Sequence, residues 1–449
     1  MADVIDATRN APLRLRARLL SPLDDGGILH VTDGLLETDA DGRILRAEAW
    51  PANGEPGEAV DLRPLVLLPG FVDLHVHLPQ IPNAGLGSGL DLLTWLDRYI
   101  FPLERAYDRT VAEQQAPAAW RAFAAAGTTT VLAYAALWPD STDAAFAAAE
   151  AHGIRAVIGK VMMDRITYDH AIDPNQILET SLRQSDELAA RWHGADGGRL
   201  GYAFTPRFAV SCTAEMLRES AALARGHGAY WQTHVSEDAG EVDEVRRLFP
   251  GARDYLDVYE QAGALGERTI LAHAIHLSES EVRRIVDSGT RVAHCPASNL
   301  FLSSGMMPLG AYRAAGMTVG IGSDVAAGPD LSMLGVMRAG AVTQRVLELT
   351  GRGDRAGALR PLDWLRAGTL DGARALGLGD RIGSLEAGKE ADLIAIDPRF
   401  TTPLPDHEPP SEADDLASRL IFRSHPNMVR AAWVRGRSLA GPPGTASIG

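Results

Sequence analysis

Through the middle of the chain, short apolar runs alternate with stretches of helical spacing. Eight such runs stand out, at residues 70–77, 128–136, 155–163, 200–208, 230–237, 269–276, 291–299 and 318–325. Helical patterns fall between them, for example at 140–151, 213–226, 241–248 and 278–288. Strand–helix alternation of this kind predicts a parallel sheet, and eight units predict a (β/α)8 barrel of the TIM type. The competing fold, a doubly wound open sheet, needs a glycine-rich first turn. The first turn here, His75-Val76-His77-Leu78-Pro79, has no glycine.

Both ends read differently. Residues 13–67 hold short strand-like runs, such as 28–31 and 43–45, separated by the turns Asp33-Gly34 and Asp41-Gly42. Residues 381–439 repeat this style, with strands predicted at 392–396 and 429–434 and a proline-rich, acidic surface loop at 403–415. The pattern predicts a small β-sandwich built from both chain ends (1–67 and 378–449) around a barrel at 68–377.

Composition narrows the class. With 46% hydrophobic and 22% charged residues, the 449-residue chain is an ordinary globular sequence. A net charge of −15 argues against nucleic acid or an anionic membrane as partner. The longest uncharged stretch of interest, 122–139, is broken by Gly127-Thr128-Thr129-Thr130 and reads as a helix end followed by a buried strand. Residues 1–20 contain no apolar core of signal-peptide length, and two cysteines, Cys212 and Cys295, make no disulfide framework. A cytoplasmic location is expected.

The chemistry is concentrated at the ends of the predicted strands. His75 and His77 stand two apart on the first strand and so share a face. Alone, such a pair is as well explained by surface histidines. His234, with Glu237 beyond it, closes the fifth run, His273 the sixth and Asp324 the eighth. In a barrel these ends converge on one mouth, where active sites sit. Four imidazoles and a carboxylate are the donors of a borderline divalent metal. A second metal needs a bridging ligand. The fourth run supplies no carboxylate or lysine, and Lys160 on the third reads as a solvated or salt-bridged side chain, so one metal is expected. Asp324 is placed to bind the metal, to accept a proton from water, or both. Glu237 suits the loop above, either as a rim ion-pair partner or as a group carrying a proton between water and a leaving group. Cys295 reads as inert packing and His294 as a supporting residue.

The segment 68–77 resembles the first-strand signature of the amidohydrolase superfamily. Further stretches are similar to the guanine deaminases: Trp95-Leu96, Tyr99, Phe101-Pro102 and Glu104; Thr205-Pro206-Arg207-Phe208; His234-Val235-Ser236-Glu237; His294-Cys295-Pro296 with Ser298-Asn299-Leu300; and Ser323-Asp324-Val325. The resemblance spans nearly the whole chain, and Gln80 together with Arg207-Phe208 is its more specific part. It implies one Zn2+ per chain on His75, His77, His234, His273 and Asp324, with Asp324 also acting on the water. It further implies Glu237 as proton shuttle, and Gln80, Arg207 and Phe208 as contacts to a small-molecule purine. A homodimer and a place in purine catabolism follow from the same resemblance. Trp138 departs from it where relatives carry a histidine, and Ser323 where a threonine is frequent; His276 receives no role. The rival substrates are a pterin, an oxidised purine or an s-triazine. A non-catalytic scaffold is the rival class, but it would be expected to have lost ligands, and none is missing.

Overall fold

The computed structural model describes residues 10–53, 58–166, 173, 176–352, 359–404 and 407–439. The outermost parts of both predicted flanks, and residues 405–406 of the predicted loop, lie outside them. That loop runs into a helix, Ala413–Phe422.

Eight parallel strands form a nearly closed barrel in chain order: β1 (Phe71–His77), β2 (Thr128–Tyr134), β3 (Arg155–Gly159), β4 (Leu200–Pro206), β5 (Tyr230–Val235), β6 (Thr269–His273), β7 (Arg291–His294) and β8 (Val319–Ile321). A two-residue strand, Val161–Met162, pairs with the end of β4. β1, β2 and β4 are buried at every position, because helices cover one face and packed side chains fill the other. The intervening helices are bounded by local chemistry. Asp238 and Ser278 cap Ala239–Leu248 and Glu279–Ser288 in capping boxes closed by Glu241 and Glu281.

The strands are shorter than the apolar runs that predict them. The run at 291–299 is the clearest correction: β7 ends at His294, and Pro296–Phe301 is a helix. Proline at the first helical turn has no N–H to lose and already holds a helical φ. The run at 230–237 ends as strand at Val235, where Ser236 takes a left-handed φ of 47°.

The chain ends form a second sheet of seven strands. Its order is Arg437–Ser438, Val429–Val434, Leu393–Ile396, Val60–Pro69, Arg14–Pro22, Ile28–Thr38 and Ile44–Ala49. Arg14–Pro22 starts with the alternation of a half-buried strand, Leu15 and Ala17 inward and Arg14, Arg16 and Arg18 outward. Arg155, at the start of β3, joins the two parts: it is buried and pairs with Glu390 at 2.6 Å and Asp392 at 2.8 Å.

Candidate active site

β1 presents His75 and His77 from one face, and the pairing of β5 with β6 sets His273 opposite Val235, beside His234. Asp324 comes from the turn after β8 with φ 50°. Two backbone hydrogen bonds bring this turn onto β1, Asp324 N–H to His75 O at 2.8 Å and His77 N–H to Val325 O at 3.2 Å. All five side chains are buried. Nε2 of His77 lies 3.3 Å from Nε2 of both His75 and His234, and Oδ1 of Asp324 lies 3.2 and 3.4 Å from Nε2 of His75 and His77. His75, His273 and Asp324 also offer ligand atoms to one point.

These donors fit a metal. Ligands held ~2.0–2.1 Å from one zinc ion lie roughly 3.3 Å from each other. The far side of two rings is tied down: Nδ1 of His234 meets the Arg207 carbonyl at 2.6 Å, and Nδ1 of His273 meets Oδ1 of Asn299 at 2.9 Å. Since those acceptors require an Nδ1–H, the Nε2 lone pairs point inward. Burial, reinforced by neighbouring rings, holds His77 and His234 well below the usual histidine range, and burial brings His273 down to about 4. These three imidazoles are therefore neutral, the form a metal binds. For Asp324, burial pushes upward, but His75, His273 and a 2.6 Å hydrogen bond from Ser298 outweigh it and hold the carboxyl at about 2. Tyr134, opposite His77 in the β1–β2 register, packs its ring 4.5 Å from that imidazole.

Glu237 follows the kink at Ser236 and stands beside the cluster, its Oε2 3.4 Å from Nε2 of His273 and its Oε1 3.5 Å from the Ser304 hydroxyl. Burial, then the nearby Asp324 and Glu241 carboxylates, raises its carboxyl well above the ordinary range. Its setting is a buried one beside the cluster, not a rim ion pair. A pocket opens here. His77, His234, Asp324 and Glu237 face it, Gln80, Arg207 and Phe208 form one side, and Leu92, Trp95, Leu96 and Leu302 give apolar walls.

Glu104, on the helix Phe101–Ala106, ends the stretch Trp95 to Glu104, whose pattern alone gives it no role. It is fully buried and accepts from Gln80 Nε2 at 2.7 Å and from Arg207 Nη1 at 2.8 and 2.6 Å. Ser298 and Asn299 were also unassigned, because a strand reading of 291–299 hides the helix that aims them. Lys160 is not solvated: it is buried and donates to Ser181 Oγ at 3.0 Å. Trp138 lies off the pocket and donates to the Arg105 carbonyl. His276 meets the Ser304 carbonyl at 2.9 Å, beside Glu237. His294 is outside the ligand group, and burial lowers its imidazole to about 3. Cys295 is buried and free, and burial raises its thiol far above the usual range.

Comparison with known proteins agrees with this geometry. The amidohydrolase family model matches residues 66–439. A probable guanine deaminase of Deinococcus radiodurans is 37% identical over 386 residues, covering 84% of each chain. The crystal structure of a guanine deaminase from C. acetobutylicum, with guanine bound in its active site, superposes with a TM-score of 0.87 at 27% identity, over 95% of this chain and 99% of that one. An adenosine deaminase from Xanthomonas campestris with bound zinc superposes with a TM-score of 0.79 at 28% identity, over 96% and 93%. Among the described residues no helix is long and apolar enough to cross a membrane.

Proposed function

Because this chain belongs to the amidohydrolase family, we propose that it hydrolyses guanine to xanthine and ammonia with one zinc ion per chain. The observation that carries this reading is that the five-donor cluster and the Gln80–Arg207–Phe208 side open into the same pocket.

His75, His77, His234, His273 and Asp324 would hold the ion. When bound, it supplies a Lewis acid that makes hydroxide available from water near neutral pH. Asp324 takes the proton of the attacking water. Glu237, whose carboxyl is raised by burial, delivers a proton to ring N3 as the C2–O bond forms, then relays the proton held by Asp324 to the departing amine as the C2–N bond breaks, and is restored by the proton of the C2 hydroxyl as it becomes the carbonyl. Phe208 walls one face of the ring. Arg207 offers only donors, which suit the six-carbonyl of guanine and oppose the amino group of adenine.

A single ion is supported by β4, which brings no carboxylate or lysine to the mouth. The same reading makes 68–377 the catalytic barrel, flanked by 1–67 and 378–449. It also makes the protein a cytoplasmic homodimer of purine catabolism. The test is ammonia release from guanine, adenine, a pterin, 8-oxoguanine and an s-triazine. Guanine is expected to be the preferred substrate, and adenine to be inert. Preference for any of the others refutes the assignment.

A further inference from the structure

Glu104 is a fully buried carboxylate for which the proposed reaction has no step. It sits at the back of the pocket's polar side. Three short hydrogen bonds converge on it: Gln80 Nε2 at 2.7 Å on Oε1, and Arg207 Nη1 at 2.8 Å on Oε1 and 2.6 Å on Oε2. Gln80, Glu104 and Arg207 are all nearly solvent-free. The Phe101 ring lies 5.4 Å from the same guanidinium.

Two consequences follow from the chemistry of this triad. An ionised carboxylate accepts and never donates, so Gln80 must turn its NH2 to Glu104 and its carbonyl oxygen the other way. That oxygen faces Ala326 N–H at 3.5 Å, two residues beyond Asp324. The orientation of a pocket amide is thereby set by a residue outside the pocket lining. Second, an arginine keeps its charge even when buried, and here a carboxylate at hydrogen-bond distance cancels it. The polar side of the pocket offers directed donors and acceptors with no net charge.

We propose that Glu104 is a positioning and specificity-determining residue, which fixes the Gln80 amide and neutralises Arg207 so that the site takes a neutral heterocycle over its anion. This rests on the guanine reading above and extends it to the charge state of the ligand. Glu104→Gln keeps the side chain's size but removes the charge and offers an NH2, which lets Gln80 flip and leaves Arg207 without a counter-ion.

The probe is xanthine as a competitive inhibitor, with Ki measured on both sides of its first ionisation, in wild type, Glu104→Gln and Glu104→Asp. Zinc content and thermal melting are followed for each. The quantity read is the affinity for the monoanion relative to the neutral form, compared with wild type, so that titrations common to all three proteins cancel. In Glu104→Gln this ratio should rise at least ~10-fold, since a unit charge a few ångströms away is unmasked. Guanine kcat/KM should fall roughly 10- to 100-fold with zinc retained, on the scale of lost hydrogen bonds to charged groups. Glu104→Asp should keep the wild-type ratio even where turnover falls, because the negative charge remains. An unchanged ratio in Glu104→Gln overturns the proposal, as does a ratio in Glu104→Asp that moves as in the glutamine variant. If Glu104→Gln does not fold, Glu104→Asp decides alone, a wild-type ratio supporting the proposal. Wild type inert towards guanine defeats the proposed function and this inference with it, whereas active wild type with unmoved ratios defeats this inference alone.

Discussion

Arg207 ties the histidine–aspartate cluster to the pocket through two different groups. Its backbone carbonyl fixes the His234 ring, and its side chain, held by Glu104, lines the pocket. The five clustered residues were legible in the sequence as candidates because each is a polar residue closing an apolar run, a position with few explanations other than a site. Glu104 was not legible. A glutamate in a short helix reads as a solvated face, and only the fold shows it buried against two residues distant in sequence. Glu237 tests the chemistry at this scale. Burial and then the Asp324 and Glu241 carboxylates raise its carboxyl, so it keeps its proton to higher pH than an ordinary glutamate and loses it as pH rises further. Glu237→Gln retains size and a hydrogen bond but carries no proton. Steady-state kinetics should show kcat lower by ~10²–10⁴-fold with zinc content preserved. Near-normal turnover would assign the proton transfer to another group.

At the level of elements, the ligand set depends on how closely the last strand approaches the first. Gly322, just after β8, leaves no room for a side chain: a Cβ there would lie 2.7 Å from the His75 Cβ and 2.9 Å from its backbone nitrogen. Gly322→Ala must push the Asp324 turn off β1. It should weaken zinc retention in dialysis against a chelator and lower thermal stability together, within the ~1–3 kcal/mol typical of overpacking. Zinc retention and melting equal to wild type would show that the contact is slack. The eight strands were legible from their apolar runs, but their ends were not. All but the first of the runs continue for two to five residues past the last strand residue, because the turns that carry Glu237, Ser298 and Asn299 are as buried as the strands. Left-handed φ values at Ser236, His273, Ala274 and Asp324 mark where the chain leaves the sheet to aim these groups.

Across the whole molecule, the Arg155 junction couples the barrel to the terminal sheet. Burial pushes Glu390 upward, but Arg155, Arg381 and Arg435 outweigh it and hold its carboxyl at about 2. An unfolded glutamate titrates near ~4.3, so this stabilisation is complete above that pH and is lost as pH falls through about 2. Arg155→Met strips the buried carboxylates of a partner and should cost about 3–5 kcal/mol near neutrality. Its further loss on acidification should be smaller than in wild type, because without Arg155 the folded Glu390 titrates closer to its unfolded value. Urea melts of the two proteins between pH 7 and 2 measure both effects, and superimposable curves would contradict this role. The union of both chain ends in one β-rich unit was legible from their shared strand-and-turn style, although the expected sandwich is a single seven-stranded sheet. The junction was not, since Arg155 and Glu390 are separated by most of the chain. The central claim remains that the cluster and the pocket together form a metal-dependent guanine-hydrolysing site. The most direct measurement is the absorbance change of guanine conversion by the purified chain, before chelation, after it, and after zinc is restored. Xanthine should form, chelation should abolish its formation, and about one zinc per chain should restore it. No xanthine from the zinc-loaded protein, or turnover that survives removal of the metal, would contradict the claim.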